Sequence, residues 1–113
     1  MEQTPDLSPL AVLERLEETI AQRRAADPQT SYVARIHAKG IGKIAQKLGE
    51  EGVETVIAAL SEDDAALTGE AADLLFHLVI LLQARGLSLA DVCGELARRE
   101  GLSGIAEKAA RKE

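Results

Sequence analysis

Apolar and polar positions recur at helical intervals along most of this chain. Leu10, Leu13 and Ile20 share one row with Glu17, and Val12 and Leu16 widen it into a stripe. Ser8 before Pro9 predicts where that helix starts, since a serine can cap and a proline suits the first helical position. Asp27-Pro28 predicts its end, because proline pushes the preceding residue out of the helical region. Residues 27–31 then read as a loop. Ser31 caps a short helix through Ala38, and Gly40 marks a break or bend. The next helix is expected over residues 41–60, with Ile41, Ile44, Leu48 and Val56 on one side. Gly42, Gly49 and Gly52 lower its propensity by roughly 0.8–1 kcal/mol each. Close approach of backbone or ligand is the expected reason for them. Residues 61–64 form a linker or helix start. An apolar helix follows over 65–85, closed by Gly86 in a left-handed cap. Ser88 with Asp91 resembles a capping box opening a helix through Arg99. Residues 100–113 read as a tail or short terminal helix. The pattern predicts an all-α bundle of four to five helices with two long central ones.

Composition narrows the class. A chain of 113 residues is expected to form one domain over 1–113, with its core over about 8–100. Burial of roughly 65% of the unfolded surface allows only a modest core. The helix over 65–85 is apolar on more sides than one neighbour can cover, so a homodimer is expected. A net charge of −6 and an aromatic content of 2% argue against nucleic acid and anionic membranes as partners. The longest apolar run, Leu78 to Leu82, is too short to span a bilayer. Residues 1–9 do not read as a signal peptide. A single cysteine, Cys93, excludes an intramolecular disulfide and fits the cytoplasm. Its expected role is packing.

Two acidic groups carry the candidate chemistry. With Glu50 at 0° on a helical wheel, Glu54 falls at about 40° and Glu51 at about 100°. Three anions therefore crowd one arc. Half-buried, such a pair costs about 4 kcal/mol at 4 Å and an effective dielectric of 20. Glu70 and Asp73 are three apart on the next helix. Between Ala71 and Leu82 only Asp73 and His77 are polar, so Asp73 is expected inside the bundle. A carboxylate there must be neutral, paired or bound to a metal. The two groups can face each other across one helical hairpin. Converging carboxylate oxygens suit a hard cation, Mg²⁺ by default, completed by water and substrate phosphates.

The cations supply the other half. Arg35, Lys39, Lys43 and Lys47 recur every four residues, and no acid falls between Ser31 and Lys47. If the helix is continuous, the three lysines share the arc of the glutamates. A polyphosphate could then meet Lys at its far end and metal at its reacting phosphoryl group. Plainer readings stand beside these. The glutamates could be a solvated helix face, and Lys47 could simply pair with Glu51. His77 is better read as a satisfied core histidine than as a support for the metal site. Tyr32 could stack on a base or act structurally.

Glu51-x-x-Glu54, fifteen intervening residues, then Glu70-x-x-Asp73 resembles the metal signature of the all-α nucleotide pyrophosphohydrolases of the MazG-like superfamily. More narrowly, three stretches resemble the phosphoribosyl-ATP pyrophosphatase family. They are Ser31-Tyr32-Val33-Ala34-Arg35, then Lys39-Gly40-Ile41, then Lys43-Ile44-Ala45-Gln46-Lys47-Leu48-Gly49-Glu50-Glu51. Glu70-Ala71-Ala72-Asp73-Leu74-Leu75-Phe76-His77 and Gly86-Leu87-Ser88-Leu89-Ala90-Asp91 continue the likeness. The resemblance implies hydrolysis of phosphoribosyl-ATP to phosphoribosyl-AMP and pyrophosphate, the second step of histidine biosynthesis. It also implies Mg²⁺ and a homodimer. By matching position Glu51, Glu54, Glu70 and Asp73 would hold the metal. Glu50 would be a further ligand or would orient the attacking water. Lys39, Lys43 and Lys47 would grip phosphates, with Arg35. Two other functions remain open from the residues: a house-cleaning nucleoside triphosphate pyrophosphohydrolase and a non-enzymatic helical dimerisation module.

Overall fold

Ser31, Asp63 and Ser88 each start a helix by giving a side-chain oxygen to a backbone N–H that the helix leaves unpaired. Ser31 accepts from Ala34, Asp63 from Ala66 at 2.9 Å, and Ser88 from Asp91. In this computed structural model, which describes residues 8–101 and 111, the elements are α1 (Pro9–Arg23), α2 (Tyr32–Lys39), α3 (Ile41–Ser61), α4 (Asp64–Ala84) and α5 (Leu89–Arg98). No strand occurs among the described residues. The expected all-α architecture is what the chain adopts, and the Ser88–Asp91 capping box is complete. The segment expected as a tail or terminal helix lies largely outside the described residues, as does the N-terminal stretch.

α1 ends earlier than the proline alone predicts. It stops at Arg23, because the turn before α2 already organises around Asp27. The Asp27 carbonyl accepts from Thr30 at 3.0 Å and Ser31 at 2.9 Å, and its carboxylate accepts from Gln29 at 2.9 Å. The Ser31 hydroxyl donates to the Arg23 carbonyl at 3.3 Å, pairing an acceptor at the end of α1. Gly40 has φ +94°, which an L side chain resists, and so α2 and α3 are separate helices. Lys39 therefore does not share a wheel with Lys43 and Lys47. At the far end of α4, Gly86 has φ +74°. Leu87 N–H donates to the Leu82 carbonyl at 2.8 Å and Gly86 N–H to that of Gln83 at 3.0 Å, a Schellman closure.

The core is small. Ile20, Val33, Ile36, Ile44, Val79 and Ile80 form one buried cluster drawn from the first four helices, flanked by Leu16, Phe76, Leu81, Ala84 and Leu89. α3 and α4 form an antiparallel hairpin, the largest packing surface in the fold. α1 is fastened at its middle. The Glu17 carboxylate accepts from Leu89 N–H at 2.6 Å, capping α5, while its carbonyl accepts from Gln83 Nε2 at 2.8 Å.

Three expectations change. Asp73 is exposed, and α4 buries only His77, Val79 and Ile80, because one chain covers a single side of this helix. Cys93 is exposed, since α5 has no buried residue. Nothing lies within 4 Å of a Cβ built on Gly42, Gly49 or Gly52, so no close approach within the described chain explains them. α4 as a whole, rather than its longest apolar run, is long and apolar enough to cross a membrane. Within it Glu70, Asp73 and His77 are polar, and it packs on α3 and α1.

The open space at Gly52, in the interior of α3, yields a stability prediction. Gly52→Ala should raise the unfolding free energy by about 0.5–1 kcal/mol, read from the urea midpoint at unchanged slope. A lower midpoint would show that something outside the described chain covers this position.

Candidate active site

The hairpin sets two i, i+3 acidic pairs against each other, Glu51 with Glu54 on α3 and Glu70 with Asp73 on α4. The Thr55 hydroxyl lies 2.7 Å from the Glu51 carbonyl and 3.3 Å from the Glu70 carbonyl, stitching the helices together at this level. Carboxylate oxygens of Glu51, Glu70 and Asp73 all come within 4.8 Å of one another. Glu51 is only 9% exposed, so the buried acid of the cluster lies on α3 and not on α4 as expected. Glu51 Oε2 and Glu70 Oε2 are buried with no hydrogen-bond partner. A buried carboxylate oxygen without a donor is costly, and a cation is the ligand that two such oxygens and a third carboxylate fit.

The electrostatics carry the same message. Desolvation, followed by the Glu54 carboxyl and then that of Glu51, pushes Glu70 up to about 7. Desolvation, followed by the charges of Glu54 and Asp73, raises Glu51. Glu54 thus acts on both buried Glu51 and half-buried Glu70 while its own side chain reaches solvent. Glu50 differs. Its carboxylate lies 3.0 Å from Lys47 Nζ and accepts from Gln46 Nε2 at 3.1 Å. Those contacts, Lys47 first, hold its pKa below the usual value. Glu50 borders the cluster without joining the three converging acids.

The cations meet after all. Arg35 and Lys39 from α2 and Lys43 and Lys47 from α3 line one groove of about 270 Å³ with Tyr32 and Ile36. The kink at Gly40 brings this about, folding the end of α2 beside the start of α3. Arg35 Nε donates to the Pro28 carbonyl at 3.1 Å, which fixes the guanidinium from behind. Lys47 joins the two halves, since it lines the groove and pairs with Glu50 beside the cluster.

Sequence reasoning left two residues unassigned. Thr55 carries no sequence signal, as its role exists only once α4 is docked. Tyr32 is anchored, its hydroxyl lying 2.8 Å from His77 Nε2. His77 is the satisfied core histidine expected, 6% exposed, with Nδ1 2.8 Å from the Asp73 carbonyl.

Comparison with known proteins gives a consistent picture. Residues 13–100 match the family model described as phosphoribosyl-ATP pyrophosphohydrolase. A phosphoribosyl-ATP pyrophosphatase of Rhizorhabdus wittichii is 69% identical over 99 residues, covering 88% of this chain and 93% of that protein. That of Novosphingobium aromaticivorans is 65% identical over 100 residues, 88% of this chain and 94% of that protein. That of Dinoroseobacter shibae is 56% identical over 102 residues, 90% of this chain and all of that protein.

A proton and a cation would compete for the clustered oxygens, which sets a pH dependence. The Glu70 pKa lies near 7 in the fold against 4.5 for a free carboxyl. A raised folded pKa means that its favourable contribution is full below about pH 4.5 and is lost as pH rises through about 7. The metal-free protein should therefore lose Tm between pH 5 and pH 8, and Mg²⁺ should restore more at pH 8 than at pH 5. Thermal melts at both values with and without Mg²⁺ test this, and an equal Mg²⁺ effect at both would contradict it.

Proposed function

We infer that the carboxylate cluster and the cation groove together carry the reaction, from the premise that this chain belongs to the phosphoribosyl-ATP pyrophosphohydrolase family. The reaction is hydrolysis of phosphoribosyl-ATP to phosphoribosyl-AMP and pyrophosphate, in histidine biosynthesis and in the cytoplasm. The observation that supports this division of labour is the pair of unpartnered buried oxygens on Glu51 and Glu70, beside Asp73.

Glu51, Glu54, Glu70 and Asp73 would hold Mg²⁺. Bound there, the ion supplies Lewis-acid chemistry, neutralising phosphate charge and making a coordinated water more acidic. The chain's own residues do the rest. Lys39, Lys43, Lys47 and Arg35 offer four cations to the triphosphate. Arg35 presents a planar fork whose Nε is already bound, and so it approaches phosphate with little freedom left to lose. As the bridging P–O bond breaks, negative charge grows on the departing pyrophosphate, and in this reading the lysines would meet that charge. Glu50 holds Lys47 at the junction. With Glu51 it offers acceptors that orient the attacking water opposite the leaving group.

A second copy of the chain completes the fold in this reading. Val53 (60% exposed), Val56, Ile57 and Leu60 (82%) on α3 and Leu75 on α4 leave apolar surface open on the long hairpin. A small core gains most from covering such a surface.

Glu51→Gln and Asp73→Asn should each lower pyrophosphate release by at least about a thousandfold while keeping the helical circular dichroism spectrum. Near-normal release in Mg²⁺ from both variants would overturn the proposed mechanism, and a preference for ordinary dNTPs over phosphoribosyl-ATP would overturn the substrate. Sedimentation at micromolar concentration should show a dimer, and Val56→Glu should shift it towards monomer. A wild-type monomer would remove the second copy from the account.

A further inference from the structure

Tyr32 and His77 have no part in the chemistry above, yet among the described residues their hydrogen bond is the polar tie between α2 and α4. The proton positions follow from the partners. A carbonyl only accepts, so the 2.8 Å contact to the Asp73 carbonyl places a proton on His77 Nδ1. In the neutral ring Nε2 is then bare, and the Tyr32 hydroxyl must donate to it. The imidazole is held edge-on as well, with ring centroids 5.6 Å from Tyr32 and 5.4 Å from Phe76 and interplanar angles of 81° and 88°. Two hydrogen bonds and two ring contacts leave His77 a single orientation.

What the tie joins gives it a purpose. α2 carries Arg35 and Lys39 of the groove, and α4 carries Glu70 and Asp73 of the cluster. α2 packs mainly on α3 and α1; it meets α4 through Val33 and Ile36, which share the buried cluster with Val79 and Ile80, and through Tyr32 beside Phe76, so the Tyr32–His77 bond adds a directional polar tie to a small apolar contact. Tyr32 stands at the boundary between the two sites. It lines the groove, and its hydroxyl is within reach of the charges of Lys47 from the groove and of Glu51, Glu50 and Asp73 from the acidic groups.

We propose that Tyr32 and His77 are positioning residues, whose hydrogen bond sets the spacing between the groove cations on α2 and the carboxylates on α4 so that one triphosphate can engage both at once. This rests on the reading of the site given above. A ligand that occupies only one site is indifferent to the spacing, whereas a reacting substrate that bridges both is sensitive to it.

The test separates those cases. Tyr32→Phe keeps the ring and removes the hydroxyl. Turnover of phosphoribosyl-ATP should fall about fivefold to tenfold, the size of one lost hydrogen bond, with KM changed less than about twofold. Mg²⁺ affinity by calorimetry and inhibition by inorganic pyrophosphate should be unchanged, since each probe needs only one site. His77→Gln, which can still accept from Tyr32 through Oε1, should retain more turnover than His77→Leu. Adding Tyr32→Phe to His77→Leu should cost nothing further. Wild-type kcat in Tyr32→Phe, a matching loss of Mg²⁺ or pyrophosphate binding, or additive penalties would each overturn the proposal. Failure of the unmutated chain to hydrolyse phosphoribosyl-ATP would instead overturn the assigned function, and an active parent with indifferent variants would overturn only the spacing role.

Discussion

Carboxylates held together in a seam without donors are the constraint around which the rest of this molecule is arranged. Glu51 is buried on α3, Glu70 faces it from α4, and each keeps an oxygen with no hydrogen-bond partner. Like charges at such range repel by several kcal/mol in a half-buried setting. A fold built for stability alone would place leucines here. Keeping acids in the seam makes sense when a bound cation turns the repulsion into attraction, and the raised pKa of Glu70 expresses the same tension when a proton takes the cation's place.

The scaffold is suited to holding that seam. Two helices of 21 residues run antiparallel with a short connection, so four acids on i, i+3 spacings need only a correct register to meet. Thr55 bridges the Glu51 and Glu70 carbonyls at the level of the cluster, and the Asp63 cap fixes where α4 begins. The core beneath consists of aliphatic side chains and contributes rigidity rather than chemistry. The cation groove is shaped instead at helix junctions. Gly40 redirects the chain so that cations from two helices share one groove, and Asp27 organises the turn whose Pro28 carbonyl fixes Arg35.

Much of this was legible in the sequence because helices are local objects. Ser31, Asp63–Asp64, Gly86 and the Ser88–Asp91 box each signal a boundary through a few neighbouring residues, and all became helix ends. The acidic pairs were legible because a spacing of three places two side chains on one face whatever the helix packs against. What escaped depends on docking. The burial of Asp73 was misjudged because apolar composition tells how much surface a helix would like to cover, not how much a single chain can cover. Cys93 was misjudged for the same reason. The four cations of the ladder do line one groove, but a break at Gly40 and not a continuous helix gathers them. Thr55 and the Tyr32–His77 bond involve partners fifteen and 45 residues away, and no local pattern announces such contacts.

The uncovered residues and the glycines of α3 are best understood together. Gly42, Gly49 and Gly52 cost helix propensity without any close neighbour in the described chain, while Val53, Val56, Ile57 and Leu60 on the same helix are left exposed. A helix that is both weakened and uncovered is stable only if something else is gained. Within the chain the gain is the hairpin with α4, whose seam is expensive until an ion is bound. Beyond the chain it is the surface a second copy would bury. Both point the same way: α3 in isolation is a poor helix that, under the proposed function, ligand and partner would complete, so metal binding, association and helix stability should rise and fall together through this one element.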